Sequence, residues 1–142
     1  MVINSNSAED TKEFAASVAA RFTTRGGVVA LIGDLGSGKT TFTQGFAQAL
    51  GIHEKITSPT FTLIRQHQLP HSDRTLYHLD LYRLEAVNPT ELGLLDLFTR
   101  TEDIVLIEWA EKLADQLPKE ALVIKFKHLS KDRREIELAV IS

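Results

Sequence analysis

An apolar segment, a glycine-rich loop and a helix pattern follow one another directly. Together they restrict the possible folds of this chain more than any other feature of the sequence. Residues 28–33 (VVALIG) form a continuous apolar run, which is typical of a strand buried on both faces of a helix-covered sheet. Residues 33–40 read GDLGSGKT and fit G-x-x-x-x-G-K-[ST] without a mismatch. Residues 40–51 then predict an amphipathic helix that stops at Gly51. The sequence therefore predicts a strand–loop–helix unit.

Such a loop is suited to binding a polyphosphate. Glycines let the backbone curve so that several N–H groups converge on an anion, and the helix that follows aims its positive end at the same point. Lys39 would add a full charge near the outer phosphates, Thr40 a hydroxyl for Mg²⁺, and Thr41 a donor for the α-phosphate. We therefore predict a site for a nucleoside triphosphate with Mg²⁺. Its loop residues are Gly36, Ser37, Gly38, Lys39, Thr40 and Thr41.

Size and composition exclude several other kinds of protein. The 142 residues predict a single domain, residues 1–142, and the absence of cysteine excludes disulfides and thiolate metal sites. A net charge of -3 argues against binding nucleic acid by counterion release alone. No apolar run approaches the roughly 18 residues of a membrane span, and the polar N-terminus does not resemble a secretory signal. These features predict a cytoplasmic protein.

The remaining patterns predict an α/β fold with a mixed, partly parallel sheet flanked by helices. Helices are expected from a Ser7 cap to Phe22 and over residues 40–51, 89–98 and 110–117. Strands are expected over residues 28–33, 61–69, 76–84, 104–107, 122–128 and 135–141. The third and fourth helical segments flank a second fully apolar strand, residues 104–107. The last two strands should form an antiparallel hairpin.

Two carboxylates are candidates for the chemistry at this site. Glu108 directly follows the apolar strand 104–107, at the sheet edge where ligands of α/β proteins bind, so it is a candidate metal-side carboxylate. The alternative is a surface glutamate at the start of the next helix. Asp80 lies in HLDLYRL, where alternation places His78, Asp80 and Tyr82 on one strand face. Asp80 would orient the attacking water, or these residues are simply the polar face of a half-exposed strand.

Two further residues are open to two interpretations, and the histidines are given one. Thr60, in Ser58-Pro59-Thr60, would place its hydroxyl on Mg²⁺ or the γ-phosphate, or it belongs to a plain turn before a strand. Trp109 is the single tryptophan, and it either packs in the core or lines the site beside Glu108. The five histidines show no metal-ligand spacing and are interpreted as ordinary polar residues.

Four segments in this order, GDLGSGKTT, SPTFTL, HLDLYRL and IEWAEKL, resemble the TsaE family over almost the whole chain. The resemblance implies a small P-loop NTPase fold that binds ATP and hydrolyses it weakly on its own. It also implies two partner proteins, TsaB and TsaD. TsaD transfers a threonylcarbamoyl group to the adenosine beside the anticodon of tRNA, so tRNA would be reached through the complex.

The resemblance also assigns roles to particular residues. Lys39, Thr40 and Glu108 match the nucleotide and Mg²⁺ residues. Asp80 matches the proposed catalytic carboxylate, and Thr60 matches a switch-like threonine, so Lys39, Asp80 and Thr60 form the expected catalytic set. Thr11 falls where the first helix reaches the adenine, and Arg133 falls where the last turn lies near the nucleotide.

Two other functions fit the same loop. One is an ATP-gated binding module in which bound ATP organises a surface for partners and hydrolysis is incidental. The other is a small-molecule kinase, although kinases of this fold usually carry a lid with several arginines, and no such insertion is evident. A GTPase is disfavoured because the sequence contains neither N-K-x-D nor D-x-x-G.

Overall fold

A computed structural model of the chain describes residues 1–34, 36–53, 64–82, 94–99 and 102–140. Within these ranges the strands are β1 (Val2–Ser5), β2 (Gly27–Gly33), β3 (Ile64–Gln68), β4 (Thr75–Asp80), β5 (Ile104–Glu108), β6 (Leu122–His128) and β7 (Arg134–Val140). The helices are α1 (Ala8–Ala19), α2 (Lys39–Ala49) and α3 (Leu94–Phe98), with 3₁₀ segments at Ala20–Phe22 and Ala110–Gln116. None of these described helices is long and apolar enough to cross a membrane.

All seven strands form one sheet in the order β1-β7-β6-β2-β5-β4-β3. The four central strands, β6, β2, β5 and β4, run parallel to one another. The outer strands β3 and β7 run antiparallel to their inner neighbours, and β1 runs antiparallel to β7. This arrangement confirms the predicted α/β fold with a mixed, partly parallel sheet. It brings the carboxyl ends of the four central strands to one edge.

Both faces of the central strands are buried, which explains their continuous apolar sequences. In β2, Val29 and Leu31 join the core on the side of α1 and α2, whereas Val28 and Ala30 join the core on the opposite side. The second core also includes apolar residues from α3 and the second 3₁₀ segment. Each face therefore has its own hydrophobic cluster, and the sheet separates the two.

Helices α1 and α2 pack closely on the first face. Ser7 caps α1 by accepting a hydrogen bond from the Asp10 amide at 3.1 Å, as the sequence predicts. A side chain cannot be added at Gly45 of α2, because its Cβ would lie 2.7 Å from the Cα of Lys12. Phe42 of α2 fills the space between the helices and the sheet, with ring contacts to Phe14, Phe46 and Phe126. This packing fixes the helix that opens after the glycine-rich loop.

The structure corrects three of the element predictions. Strand β1 was not predicted. It has only four residues, too few for a clear alternating pattern, and it pairs with β7 at the other end of the chain. The helix predicted over residues 110–117 is a 3₁₀ helix, Ala110–Gln116. The strand predicted over residues 76–84 ends at Asp80. The predicted residues 61–63, 83–84, 89–93 and 141 lie outside the described ranges.

Arg74 hydrogen-bonds to the connecting segments around it, at the sheet edge opposite the glycine-rich loop. Its guanidinium donates to the carbonyl of Glu102 at 2.8 Å, to that of Phe22 at 2.7 Å and to that of Thr23 at 3.0 Å. A further bond reaches the carbonyl of Arg25. One side chain thereby satisfies backbone acceptors at the end of the α1 region and just before β5.

We predict that Arg74→Met lowers the free energy of unfolding by about 2 kcal/mol, because four hydrogen bonds from a charged donor are lost. Urea unfolding followed by circular dichroism measures this change. Arg21→Met is the matched control, since Arg21 is exposed, and it should change stability by less than about 0.5 kcal/mol. Equal effects of the two substitutions would contradict this role of Arg74.

Candidate functional site

The loop between β2 and α2 has the backbone geometry of an anion cradle. Gly33, Gly36 and Gly38 have φ angles of 153°, 78° and 105°, which side-chain-bearing residues rarely adopt. A Cβ at Gly36 would meet nothing within 4 Å, whereas one at Gly33 would lie 2.6 Å from the Phe126 carbonyl. Gly38 is the N-cap of α2, whose first-turn amides have no intrahelical acceptor. Ser37 is buried, and its hydroxyl has no partner within the described residues. These donors suit a phosphate chain.

Lys39, the first residue of α2, lies folded against the loop. Its ammonium donates to the carbonyl of Gly33 and to that of Asp34, the latter at 3.3 Å. The side chain is only 5% exposed. Burial lowers its pKa from 10.5, and the carboxylates of Glu111, Glu108, Asp80 and Asp34 oppose that shift. The acidic surroundings keep a cation favourable where a phosphate would bind.

Trp109 forms the floor under this ammonium. The Lys39 nitrogen lies 3.4 Å from the centroid of the indole ring, a cation–π contact. The Tyr82 ring packs on the same indole at a centroid distance of 4.9 Å. Trp109 has a φ of 60°, a left-handed conformation that is costly for a bulky residue. It packs against the second core and also contacts Lys39, so its position fits both of its predicted roles.

Glu108 and Thr40 meet at the same sheet edge. The Thr40 hydroxyl donates to Glu108 Oε1 at 3.1 Å, and Glu108 is 2% exposed. The alternative of a surface glutamate is therefore wrong. Glu108 Oε2 lies 2.5 Å from Nε2 of His78, whose side chain is fully buried. The interpretation of His78 as an ordinary polar residue is also wrong, since it contacts the candidate metal-side carboxylate.

Asp80 ends β4 directly beside Glu108, its register partner in β5. Its Oδ1 accepts a hydrogen bond from the Tyr82 amide at 3.0 Å. The half-exposed strand considered from the sequence is not found, because both His78 and Leu79 are fully buried. Strand β4 is covered on both faces, and only its last residue, Asp80, reaches the partly open edge. Asp80 is therefore placed next to Glu108 and Lys39.

Arg134 of β7 lies against the loop. Its side chain packs on Gly38, with Cγ 3.8 Å from the position of a Cβ there. Arg134 pairs with Ser5 across β7 and β1, and the Ser5 hydroxyl lies 2.7 Å from that of the buried Thr11. Thr11 is thus linked to Arg134 only through Ser5, while Arg133 is exposed in the β6–β7 turn.

The site predicted from the sequence is assembled in most of its parts. The structure gathers the loop residues, with Thr41 in the first turn of α2, around Lys39, and it adds Glu108 and Asp80. Thr60 lies outside the described residues, so its role stays a prediction.

Sequence reasoning missed His78, Glu111 and Arg134. Glu111 accepts a hydrogen bond from the Gly33 amide at 3.3 Å. His78 and Glu111 lie in the segments HLDLYRL and IEWAEKL, which carry the family resemblance. Their presence in these segments was the one sequence signal that could have identified them.

The donor set fits Mg²⁺ held together with phosphate oxygens. Mg²⁺ usually takes one or two protein oxygens and completes its octahedron with phosphates and waters. The Thr40 hydroxyl and the Glu108 carboxylate, hydrogen-bonded to each other at 3.1 Å, supply such oxygens. Over the described ranges, no three His, Cys, Asp or Glu side chains converge on one point.

The parallel sheet and its glycine-rich loop define a small α/β protein of the P-loop NTPase fold. The family model of "Threonylcarbamoyl adenosine biosynthesis protein TsaE" matches residues 5–136. The chain belongs to the TsaE family, which confirms the resemblance found in the sequence.

Curated relatives and a solved structure agree with this assignment. A tRNA threonylcarbamoyladenosine biosynthesis protein TsaE from Bacillus subtilis is 44% identical over 136 residues, covering 94% of this chain and 81% of its own. The TsaE protein of Treponema pallidum is 40% identical, covering 95% of this chain and 97% of its own. The crystal structure of YdiB from Bacillus subtilis superposes with a TM-score of 0.81 at 38% identity, covering 100% of this chain and 86% of YdiB.

We predict an energetic coupling between Lys39 and Trp109. In a double-mutant cycle of Lys39→Met and Trp109→Leu, the coupling free energy in urea unfolding should be about 0.5–2 kcal/mol, because each residue loses a partly desolvated cation–π contact. The control cycle pairs Trp109→Leu with Lys127→Met, which removes an exposed lysine of β6. A Lys39 coupling no larger than that of Lys127 would show that the contact contributes nothing.

Proposed function

We propose that this chain is a Mg²⁺-dependent ATPase that serves threonylcarbamoyladenosine modification of tRNA. The proposal depends chiefly on one arrangement: the glycine loop, the Lys39 ammonium and the Thr40–Glu108 pair converge at one sheet edge. Membership of the TsaE family supports the biological setting, since relatives carry the name of a tRNA threonylcarbamoyladenosine biosynthesis protein.

Each part of the loop has a distinct task in this proposal. The amides of residues 36–41 bind the phosphate chain, and Lys39 leaves the Gly33 and Asp34 carbonyls to bind the β- and γ-phosphates. Thr40 and Glu108 would hold Mg²⁺, Thr40 directly and Glu108 directly or through water. A metal held there would supply positive charge beside the transferring phosphate. Trp109 and the neighbouring carboxylates keep Lys39 charged and close by until the phosphates arrive.

Asp80 is the proposed residue for activating water. It ends β4 beside Glu108 and close enough to Lys39 to influence its charge. A carboxylate there can orient the water and accept its proton as the γ-phosphate is attacked. Thr60 is proposed to contact the γ-phosphate or the metal. Lys39, Asp80 and Thr60 would form the catalytic set.

The base of the nucleotide is proposed to lie between α1 and the β6–β7 turn. Thr11 belongs to the first turns of α1 near this edge, and Arg133 lies in the turn itself. Arg134 packs on Gly38 between these two elements and would flank the sugar or the base. Guanidinium planes stack well on aromatic bases, so either arginine suits this position.

The proposed partners are TsaB and TsaD, and tRNA would be bound through their complex. A cytoplasmic location fits this role. The alternative of an ATP-gated binding module is favoured by one observation: Tyr82 is 49% exposed yet packs on Trp109, which contacts Lys39. A partner that covers Tyr82 would therefore touch a residue linked to the phosphate site.

We predict that Asp80→Asn lowers single-turnover ATP hydrolysis by roughly 100-fold or more, since a proton acceptor is removed, while ATP binding is retained. Rapid-quench measurements with and without TsaB and TsaD test this. Asp73→Asn, at an exposed turn, should leave the rate unchanged. If Asp80→Asn abolished hydrolysis but tRNA modification continued at the full rate, the binding module would be the correct function.

We predict that Lys39→Ala weakens ATP binding by roughly 10- to 100-fold, because the charged hydrogen bonds to the outer phosphates are lost. Isothermal titration with ATP and Mg²⁺ measures the affinity, and GTP in the same cell tests the base preference. Lys127→Ala is the matched control and should bind as the unchanged chain does. An unaltered affinity in Lys39→Ala would refute phosphate binding by this loop.

A further inference from the structure

His78 is a fully buried histidine at the centre of the sheet edge that carries the candidate site. It lies two residues before Asp80 in β4, and its register partner in β5 is Leu106. Residues two apart in a strand share a face, so the side chain lies diagonally next to Glu108. Its Nε2 lies 2.5 Å from Glu108 Oε2. Its Nδ1 is buried and has no partner among the described residues.

The two oxygens of Glu108 are divided between two partners. Oε1 accepts from the Thr40 hydroxyl at 3.1 Å, and Oε2 faces His78 at 2.5 Å. A carboxylate on a flexible side chain can rotate when only one oxygen is held. Here both oxygens are held, by residues from α2 and from β4, and the side chain is 2% exposed. The orientation of Glu108 therefore depends on His78 as well as on Thr40.

For the neutral imidazole, the hydrogen-bonding pattern also favours one tautomer. With its proton on Nε2, the imidazole donates to Glu108 and leaves Nδ1 as a bare acceptor. With its proton on Nδ1, a buried N–H would lack a partner and Nε2 would face a carboxylate with no proton between them. An unpaired buried donor costs about 1–3 kcal/mol, so the Nε2–H tautomer is strongly favoured.

We propose that His78 is a positioning residue for the divalent metal, acting through Glu108. This inference rests on the proposed Mg²⁺-dependent nucleotide site. The His78 Nε2–H group fixes Oε2, which keeps Oε1 and the Thr40 hydroxyl side by side where the metal and its waters bind. Hydrogen-bonded partners of metal ligands typically contribute 10- to 100-fold to metal affinity. His78 does not touch the nucleotide or the metal.

Two amide substitutions separate this role from simple core packing. His78→Gln keeps an amide nitrogen near the position of Nε2, whereas His78→Asn is one methylene shorter and cannot reach Glu108. Both place a polar amide in the same buried space. We expect His78→Asn to weaken Mn²⁺ binding to the ADP-loaded chain by roughly tenfold or more, with His78→Gln restoring most of it. The electron paramagnetic resonance signal of free Mn²⁺ measures this.

Metal-free binding provides the second readout. In EDTA, the ADP affinity of His78→Asn should equal that of the unchanged chain, since His78 does not contact the phosphates. A purely structural role would lower metal-free and metal-dependent binding together, and it would leave His78→Gln as impaired as His78→Asn. Either result, or an unchanged Mn²⁺ affinity in His78→Asn, overturns the inference.

The unchanged protein offers a test that needs no variant, should His78→Asn fail to fold. Nuclear magnetic resonance of chain labelled with ¹⁵N-histidine distinguishes the tautomers. We expect a protected Nε2–H proton for His78 whose resonance shifts when Mg²⁺ joins bound ADP. A ring without a proton on Nε2, or a resonance that Mg²⁺ leaves unchanged, overturns the inference. Failure of the unchanged chain to bind ADP or ATP at all would instead refute the proposed function.

Discussion

The position of β5 between β2 and β4 is the constraint on which the rest of the site depends. Register pairs Leu31 of β2 with Glu108, and Glu108 in turn with Asp80 of β4. Because these strands are parallel, their carboxyl ends coincide, and the loop after β2 opens beside both carboxylates. A shift of β5 by one residue would turn Glu108 towards the opposite core and separate it from Thr40. The apolar cores on both faces resist such a shift.

A buried lysine is tolerated at this edge because several weak interactions replace its hydration. Two loop carbonyls accept hydrogen bonds from its ammonium, an indole face lies under it, and four carboxylates act on it at longer range. Burial still dominates, since the pKa of Lys39 is lowered. The ammonium is thus held by partners that a phosphate can displace, and by acidic neighbours that remain. This balance suits a cation that must be available to a ligand without moving far.

Local sequence patterns were sufficient for those parts of the structure that local physics determines. The strand–loop–helix unit, the Ser7 cap and the closing hairpin all follow from periodicity, glycine placement and side-chain hydrogen bonding. Placing Glu108 at the strand end required only that residues 104–107 form a parallel strand. Long-range pairing was not accessible in the same way. The partner of β1 is the last strand, and residues 2–5 contain no signal for it.

The contacts of the site were predicted less well than its residues. His78 contacts Glu108 only because β4 and β5 adopt one particular register, which neither strand specifies alone. Arg134 packs on Gly38, whereas the neighbouring Arg133 is exposed, a distinction decided by the geometry of the β6–β7 turn. The 3₁₀ helix after Trp109 has the apolar spacing of an α-helix. The residue that precedes this 3₁₀ helix, Trp109, has a left-handed backbone conformation. The backbone preference of tryptophan does not predict such a conformation.

The placement of Trp109 gives the protein an optical probe of its own. It is the single tryptophan in 142 residues, and its ring lies against the ammonium of Lys39, the side chain proposed to bind the outer phosphates. Indole emission is sensitive to its surroundings, so its intensity and wavelength report on the Lys39 ammonium and on the neighbouring ring of Tyr82. The proposed nucleotide binding could therefore be followed in real time on unlabelled protein, and so could the covering of Tyr82 by a proposed partner.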